Sequence, residues 1–287
     1  YIETERPVVV VTAPGPGSGK MATCLSQLYH EHLRGVNAGY AKFETFPIWN
    51  IPLKHPVNLA YEAATADLSD VNMIDPFHLQ AYGETTVNYN RDIEIFPVLA
   101  TIFENIYGEC RYKSPTDMGV NMAGNCITDD DACCKASEQE IIRRWYTAKC
   151  GLKKGTCEPS EVQKLDVLMK EVSVTNLDRL CVAPALKIEE ETGEPACAIC
   201  LPDGYVATGK TKALMGASCA AMMNSLKHLA GIDDSLELIS ANIIEPIQRL
   251  KTGHLGSSNP LLHLDQVLIA LSICASTDPN AKAAVEQ

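Results

Sequence analysis

Hydrophobic and polar positions along the chain change from a strand-like to a helix-like pattern within the first 35 residues. Residues 7–13 include four consecutive valines and predict a buried strand. Apolar residues at helical spacing follow over about 20–34, and Gly35 marks the end of that helix. A second short strand is predicted over 39–43. Together these elements predict a βαβ unit, which should be parallel and right-handed.

Helical periodicity recurs through the rest of the chain. Further helices are predicted over about 57–67, 132–149, 160–172, 213–230, 243–251 and 260–275, and residues 88–92 introduce another that runs to about 107. Thr128, followed by acidic residues 129–131, indicates a helix N-cap with negative charge on the positive end of the dipole. The stretch 197–208, centred on Asp203-Gly204, predicts a β-hairpin, and 236–240 predicts another strand.

The order of these elements predicts an α/β protein in three parts. At 287 residues the chain exceeds the usual size of a single domain. Residues 1–115 are predicted to form an α/β region with a P-loop-like turn, 116–175 a small all-helical insert, and 176–287 a C-terminal α/β subdomain. The loop over 113–121, rich in turn-forming residues, is the expected first boundary.

Composition and charge indicate which kinds of molecule the protein is not expected to bind. Hydrophobic residues make up 46% and charged residues 21%, which is ordinary for a protein with a sizeable core. The net charge of −12 argues against nucleic-acid binding, since no cluster of Lys and Arg could follow a phosphate backbone. The absence of a long apolar run or a basic-then-apolar leader argues against a membrane and favours the cytoplasm. Tyr1 stands directly before the predicted buried strand, as expected of a fragment.

The twelve cysteines lie in apolar or helical contexts and are expected to be free thiols. Cys197 and Cys200 have C-x-x-C spacing, but residues three apart on a strand face opposite sides. A second group is spread over a loop and a helix: Cys126, Cys133, Cys134, Cys150 and Cys157. Zinc is not expected at either group, and a metal site is the less favoured alternative.

The segment after the four valines carries the clearest chemical signal. Gly15, Gly17, Ser18, Gly19 and Lys20 lie between a predicted strand and a predicted helix. Backbone N–H groups in such a turn, the helix dipole and a lysine ammonium together form a cradle for phosphate. ATP or GTP is the expected ligand class, or another phosphorylated small molecule.

This loop departs from the Walker pattern G-x-x-x-x-G-K-[ST] at two positions. Pro14 replaces the first glycine, and Met21 replaces the hydroxyl residue that normally ligates Mg²⁺. Mg²⁺ prefers oxygen ligands, which a thioether does not supply, although Ser18 could approach a metal or a phosphate. Phosphate binding is therefore favoured over hydrolysis. The alternative is a purely structural turn between strand and helix.

Polar residues elsewhere in the first half could complete such a site. Arg91 is the best candidate for a second contact to the anion, and Asp75 or Asp117 for a general base or a Mg²⁺ partner. Glu44 ends the second predicted strand, where an open α/β sheet places its ligand. Each of these residues is more commonly a turn or cap residue than a ligand. The competing hypothesis is a non-catalytic scaffold or homo-oligomerising module.

Several segments make the chain similar to a known bacterial family. Residues 11–31, 42–47, 75–78, 87–92 and 114–121 resemble the family described as domain of unknown function 1846. The resemblance implies a longer protein, with a further N-terminal α/β region and a C-terminal tail. Some relatives have been labelled ATP-dependent zinc proteases. This sequence lacks the H-E-x-x-H pattern of such enzymes, and His30 and His32 are two apart on diverging faces of a helix.

The last third resembles the cytidine-deaminase type of α/β layout, in which a hairpin precedes a helix and further strand. Deaminases start that helix with Cys-Ala-Glu or His-Ala-Glu and start a later one with Pro-Cys-x-x-Cys. The matching position here is Cys219-Ala220-Ala221, without the acid and without the second cysteine pair. Only the fold is implied by this likeness, and zinc-dependent deamination is not expected.

Overall fold

A computed structural model describes residues 1–15, 17–42, 47–68 and 70–287 of the chain. These residues form two compact units, Tyr1–Thr175 and Asn176–Gln287, called here the N-terminal and C-terminal units. The structure contains both helices and small antiparallel sheets, which confirms the general α/β class. The three-part division expected from the sequence stays a prediction.

The N-terminal unit is mainly helical. Its helices among the described residues are α1 (Lys20–Leu33), α2 (Pro56–Ala64), α3 (Pro76–Tyr82), α4 (Asn90–Tyr107), α5 (Asp130–Lys154) and α6 (Pro159–Glu171). Strands β1 (Asn72–Ile74) and β2 (Val87–Tyr89) pair antiparallel, with Met73 opposite Asn88. Short 3₁₀ turns lie at Ala66–Leu68, Pro115–Met118 and Ala123–Cys126.

Two hydrophobic clusters hold this unit together. Helices α2, α5 and α6 share one cluster, which includes the fully buried Ile141, Ile142 and Leu165. Helices α1 and α4 contribute to the other, where Leu28 lies near Phe103 and Met118. Burial of such side chains supplies most of the stability of a helix whose own propensity is marginal.

Helices predicted from periodicity are present, with shifted ends. Helix α4 starts within the predicted segment 88–92 and ends at the predicted residue 107, and α1 and α6 differ from prediction by at most about one residue at each end. Helix α5 begins after the N-cap Asp129, one residue later than the predicted cap Thr128. It continues past its predicted end near residue 149 as far as Lys154, and Gly155 ends it in a left-handed conformation with φ of 75°.

The predicted βαβ unit is not formed by the described residues. Residues 8–13 are not in a strand, and Val8, Val9 and Val10 are 75%, 52% and 77% exposed. Residues 39–42, the described part of the second predicted strand, make other contacts. The Tyr40 N–H donates to the Tyr112 hydroxyl, which in turn donates to the Tyr40 carbonyl. The Lys42 N–H donates to the Met118 carbonyl at 2.7 Å. A strand needs a neighbouring strand for its backbone groups, and periodicity alone does not supply one. Residues 43–46, including Glu44, lie outside the described residues.

Strands β1 and β2 and helix α3 were not predicted, because each strand has only three residues and the region is polar. Helix α3 starts at Pro76 because Asp75 caps it, accepting hydrogen bonds from the Phe77 and His78 amides. This small unit places a set of polar side chains beside the 3₁₀ turn at Pro115–Met118.

The C-terminal unit contains a β-hairpin packed against helices. Its described elements are α7 (Val182–Thr192), β3 (Ala196–Cys200), β4 (Val206–Lys210), α8 (Ala217–Leu229), α9 (Ala241–Gly253), α10 (Leu264–Cys274) and α11 (Pro279–Val285). The predicted hairpin is confirmed, with Ala198 opposite Thr208 and Gly204 at φ of 86° in the turn. Gly209 lets β4 approach α8, since a Cβ there would lie 2.1 Å from the Ala221 nitrogen.

Two C-terminal predictions are wrong in detail. Residues 236–240 do not form a strand; Leu238 and Ile239 instead lie buried in the hydrophobic cluster of this unit. Helix α8 begins at Ala217 rather than near 213. The deaminase-like layout stays a prediction, and Cys219, at its key position, is buried on α8 and donates to the Leu262 carbonyl.

Candidate functional site

The glycine-rich loop ends at the N-terminus of α1. Gly17 and Gly19 both have left-handed backbone, with φ of 71° and 87°, and Gly19 is the N-cap. No side chain caps this helix end. A left-handed residue followed by a right-handed one turns successive N–H groups to the same side, which is the geometry of an anion-binding nest. Pro16, within the loop, lies outside the described residues.

The Lys20 side chain folds back over the loop. Its Nζ donates to the Gly15 carbonyl at 2.8 Å and to the Ser18 hydroxyl at 3.2 Å. The Ser18 hydroxyl itself donates to the Gly15 carbonyl. Lys20 forms no ion pair with an acid among the described residues, and Gly17, Ser18 and Gly19 are exposed. The ammonium charge therefore stays uncompensated at a solvent-facing helix terminus.

Arg91, the predicted second anion contact, lies in the first turn of α4 and pairs with Asp70. The guanidinium meets the two oxygens of this buried carboxylate at 2.6 Å each. The hydrogen bond to Asp70 raises the pKa of Arg91. Such a bidentate pair fixes the orientation of the guanidinium, which is nevertheless 45% exposed.

Two further charged groups join Asp70 in what we call the buried charge cluster: Glu62 and Lys164. The Lys164 Nζ donates to the Asp70 carbonyl, and Glu62 accepts from the Asn72 amide at 2.9 Å. Burial raises the pKa of Glu62 and lowers the pKa of Lys164. Perturbed groups of opposite charge are typical both of functional sites and of structural ion-pair networks.

Asp75 lies at the centre of a second polar network. One oxygen accepts from the Phe77 and His78 amides, and the other from the Thr116 amide and, at 2.6 Å, its hydroxyl. The carboxylate is fully buried. Because Asp75 accepts from four donors and is shielded from solvent, it links α3 to the 3₁₀ turn and has a structural role. This geometry does not favour the predicted role of Asp75 as a general base.

Asp117, the other predicted acid, belongs to the same network. It forms a capping box with Ser114, accepts from the Lys113 amide at 2.8 Å and accepts from the Tyr82 hydroxyl at 3.0 Å. His78 lies beside it, with Nδ1 2.9 Å from the Ser114 hydroxyl. Ser114 is fully buried and already accepts from the Asp117 amide, so it is not placed to attack a substrate.

The structure thus brings some predicted residues together and leaves others apart. Gly15, Ser18 and Lys20 lie together in the loop, and Asp75 and Asp117 share one network. Across 1–15, 17–42, 47–68 and 70–287, no hydrogen bond or ion pair joins the loop to Arg91 or to that network. The roles of these residues in catalysis or ligand binding stay predictions.

Sequence reasoning missed the buried charge cluster and a group formed by His55, Asp130 and Cys134. Asp70 and Lys164 are 94 positions apart, and His55 and Cys134 are 79 apart. Local patterns carry no signal for such pairs. The spacing of Asp130 and Cys134, one helical turn apart, was the only clue in the sequence. All twelve cysteines are free thiols.

Two sequence profiles match the chain. The profile described as "Domain of unknown function DUF1846, N-terminal" matches residues 1–173, and "Domain of unknown function DUF1846, C-terminal" matches residues 177–287. The gap between the two matches falls where the N-terminal unit meets the C-terminal unit in sequence.

Curated relatives match over essentially all of the chain. Identity is 62% to a UPF0371 protein of Corynebacterium diphtheriae, 58% to one of Corynebacterium urealyticum and 56% to one of Streptococcus pneumoniae, each over 287 residues. Each match covers 100% of this chain and 58% of the relative. The chain therefore spans little more than half the length of these relatives.

Proposed function

The chain belongs to the DUF1846 family, as its sequence motifs predicted, and we propose that it binds the phosphate groups of a nucleotide or another phosphorylated small molecule. The ligand would lie at the loop formed by Gly15, Gly17, Ser18, Gly19 and Lys20. ATP and GTP are the first candidates, with Mg²⁺ as counter-ion. Turnover is not part of the proposal.

The observation that supports the proposal most strongly is the start of α1. The helix begins without a side-chain cap, directly after a left-handed glycine. Its first N–H groups carry the partial positive charge of the helix end, and a carboxylate or hydroxyl cap would normally satisfy them. Phosphate oxygens can take that place, and Lys20 adds a full positive charge at the same end.

Ligand binding would require an exchange of partners within the loop. The Lys20 ammonium now bonds the Gly15 carbonyl and the Ser18 hydroxyl. A phosphate oxygen is a stronger acceptor than a neutral carbonyl, because both partners are then charged. We expect Lys20 to turn toward the phosphate while the Ser18 hydroxyl stays within reach of both.

Arg91 supports the proposal less directly. Asp70 occupies two of the five guanidinium donors, and the side chain remains partly exposed. In the proposed complex Arg91 would contact a distal phosphate through its other donors. Asp117, which is one-fifth exposed, would be the better of the two predicted acids for holding Mg²⁺ through water.

Calorimetric titration of the full chain with ATP, GTP and pyrophosphate, with and without Mg²⁺, tests the proposal. We expect Lys20→Ala to weaken binding by roughly tenfold or more, the equivalent of one charge-assisted contact. Lys20→Arg should retain part of the affinity. Lys187→Ala, which removes an exposed lysine on α7, is the matched control and should bind normally. Absence of binding to the wild type by all three compounds would contradict the proposal.

The scaffold alternative also has an observation in its favour. Lys20 and Ser18 satisfy each other and the Gly15 carbonyl, so the loop is closed without a ligand. In that case Lys20→Ala would lower the melting temperature of the protein. Nucleotides would not raise the melting temperature of either the wild type or Lys20→Ala. Sedimentation velocity would separately test homo-oligomer formation.

A further inference from the structure

His55, Asp130 and Cys134 bring three different metal-ligating atoms together on the N-terminal unit. The His55 Nε2 lies 3.0 Å from Asp130 Oδ1 and 3.7 Å from the Cys134 Sγ. The Cys134 Sγ lies 3.9 Å from the other oxygen of Asp130. We propose that these three side chains form a binding site for a borderline divalent transition-metal ion, with Zn²⁺ as the expected occupant.

The separations agree with tetrahedral coordination. Zn–N and Zn–O distances of about 2.0–2.1 Å and a Zn–S distance of about 2.3 Å place tetrahedral ligand atoms roughly 3.3–3.6 Å apart. The separation of 3.7 Å between the His55 nitrogen and the Cys134 sulfur is close to that range. One atom from each of the three residues lies within 4.8 Å of the others, so side-chain rotations would bring a single Asp130 oxygen into place. Three protein ligands leave a fourth position for water.

Two elements that pack firmly together position the ligands. His55 is the N-cap of α2, and Asp130 and Cys134 lie one turn apart on the first part of α5. Helices α2 and α5 share the hydrophobic cluster around Ile141 and Ile142. The His55 side chain is only 10% exposed, whereas Asp130 is 62% exposed, so the site is fixed on one side and open on the other.

The donor set and the local charge select the class of ion. Imidazole and thiolate favour Zn²⁺, Co²⁺ or Ni²⁺ over Mg²⁺ and Ca²⁺, which prefer oxygen ligands alone. Asp130, Asp131 and Glu138 surround the thiol with negative charge. A dication gains from that charge even where the positive end of the α5 dipole opposes it.

Binding has a specific structural consequence at α2. The His55 Nδ1 now accepts the Val57 N–H at 3.2 Å, which places the ring proton on Nε2. An ion at Nε2 displaces that proton and requires a proton on Nδ1. The Val57 N–H then loses its acceptor, so ion binding and the α2 cap compete.

Titration of the reduced full chain with Co²⁺ tests this proposal, because a thiolate ligand gives cobalt a charge-transfer absorption. We expect one Co²⁺ per chain, displacement by Zn²⁺, and a changed Val57 amide resonance on Zn²⁺ addition. Cys134→Ala should abolish the absorption. Asp130→Asn, at an exposed position, should weaken affinity by roughly tenfold or more. Cys150→Ala removes an exposed thiol near the far end of α5 and is the matched control. Asp131→Asn removes nearby charge but no ligand, so it should weaken affinity less than Asp130→Asn.

Two results would overturn the proposal. One is a wild-type chain that gives no thiolate absorption with Co²⁺. The other is an absorption that persists in Cys134→Ala or disappears equally in Cys150→Ala, since the ion would then lie at other thiols. Far-ultraviolet circular dichroism shows whether each variant is folded. If Cys134→Ala does not fold, the Co²⁺ affinity of Asp130→Asn tests the proposal instead, and an unchanged affinity would overturn it.

Discussion

Lys20 and Asp75 differ in the hydrogen-bond partners that surround their charges. Lys20 meets only a carbonyl and a hydroxyl in a solvent-facing loop, whereas Asp75 meets four donors in the interior. A buried carboxylate with complete hydrogen bonding supports structure, and an uncompensated ammonium at a helix N-terminus can bind an anion. The structure therefore leaves Lys20 available to an anion, whereas Asp75, the predicted general base, is committed to holding the fold together.

Asp75→Asn should destabilise the N-terminal unit by about 3 kcal/mol. The amide nitrogen of asparagine would face either the Thr116 donors or the α3 amides, which leaves buried donors without acceptors. Urea denaturation measures this loss. Asp131→Asn, exposed in the first turn of α5, is the control and should change stability by less than about 1 kcal/mol. Equal midpoints for the two variants would show that the Asp75 network contributes little.

Asp203 and His228 should make the stability of the C-terminal unit depend on pH. The His228 Nε2 lies 2.6 Å from Asp203 Oδ2 and lowers the pKa of this carboxyl, helped by the Tyr205 amide. A carboxyl whose pKa is lower in the folded state stabilises the fold above its unfolded pKa of about 3.9, and this contribution is lost as pH falls through the folded pKa. The free energy of unfolding, measured from pH 7 down to acid pH, should fall less steeply in Asp203→Asn than in the wild type. Parallel curves would contradict the linkage.

At the level of elements, most of the helices were predicted, but the short helices α3, α7 and α11 were not, and the strand predicted first is not formed. Helix α4 follows from its own 3.6-residue periodicity, because burial of one face suffices to define it. Residues 8–13 have strand-like sequence but no strand partner among the described residues. The polar clusters join residues up to 94 positions apart, and sequence periodicity contains no information on such pairs. The glycine loop was predictable because its chemistry lies in consecutive residues.

The exposed valines give a direct test at this scale. Replacing Val8, Val9 and Val10 together by threonine should change the free energy of unfolding by less than about 1 kcal/mol, since these side chains are mostly in solvent. Urea denaturation measures it. A loss of several kcal/mol would instead show that the segment is a buried strand in solution, as its sequence predicted.

Gly209 tests how closely β4 packs against α8. Gly209→Ala should cost about 2 kcal/mol, because its Cβ would meet backbone atoms of Ala217, Ala220 and Ala221 within 3 Å. Gly253→Ala is the matched control, since no atom lies within 4 Å of a Cβ at that helical position. Thermal unfolding of the two variants should differ clearly. Similar melting temperatures would mean that the hairpin moves away from α8 easily.

At the scale of the whole molecule, two units with separate hydrophobic clusters follow one another along the chain. Limited proteolysis should therefore cleave first near residues 173–176, where the chain is exposed or half-buried between α6 and α7. Mass spectrometry of the resistant fragments measures the position. Early cleavage within α5 or α8 would contradict the division. No described helix has the length and apolar character needed to cross a membrane.

The proposed function depends on phosphate binding to the backbone amides at the start of α1. NMR of the ¹⁵N-labelled full chain, titrated with pyrophosphate and then with ATP, observes these amides one by one. We expect saturable shifts of the Gly17, Ser18, Gly19, Lys20 and Met21 amides, reduced in Lys20→Ala. Amides of this loop that stay unchanged while the ligand shifts residues elsewhere, or nowhere, would contradict the proposed function.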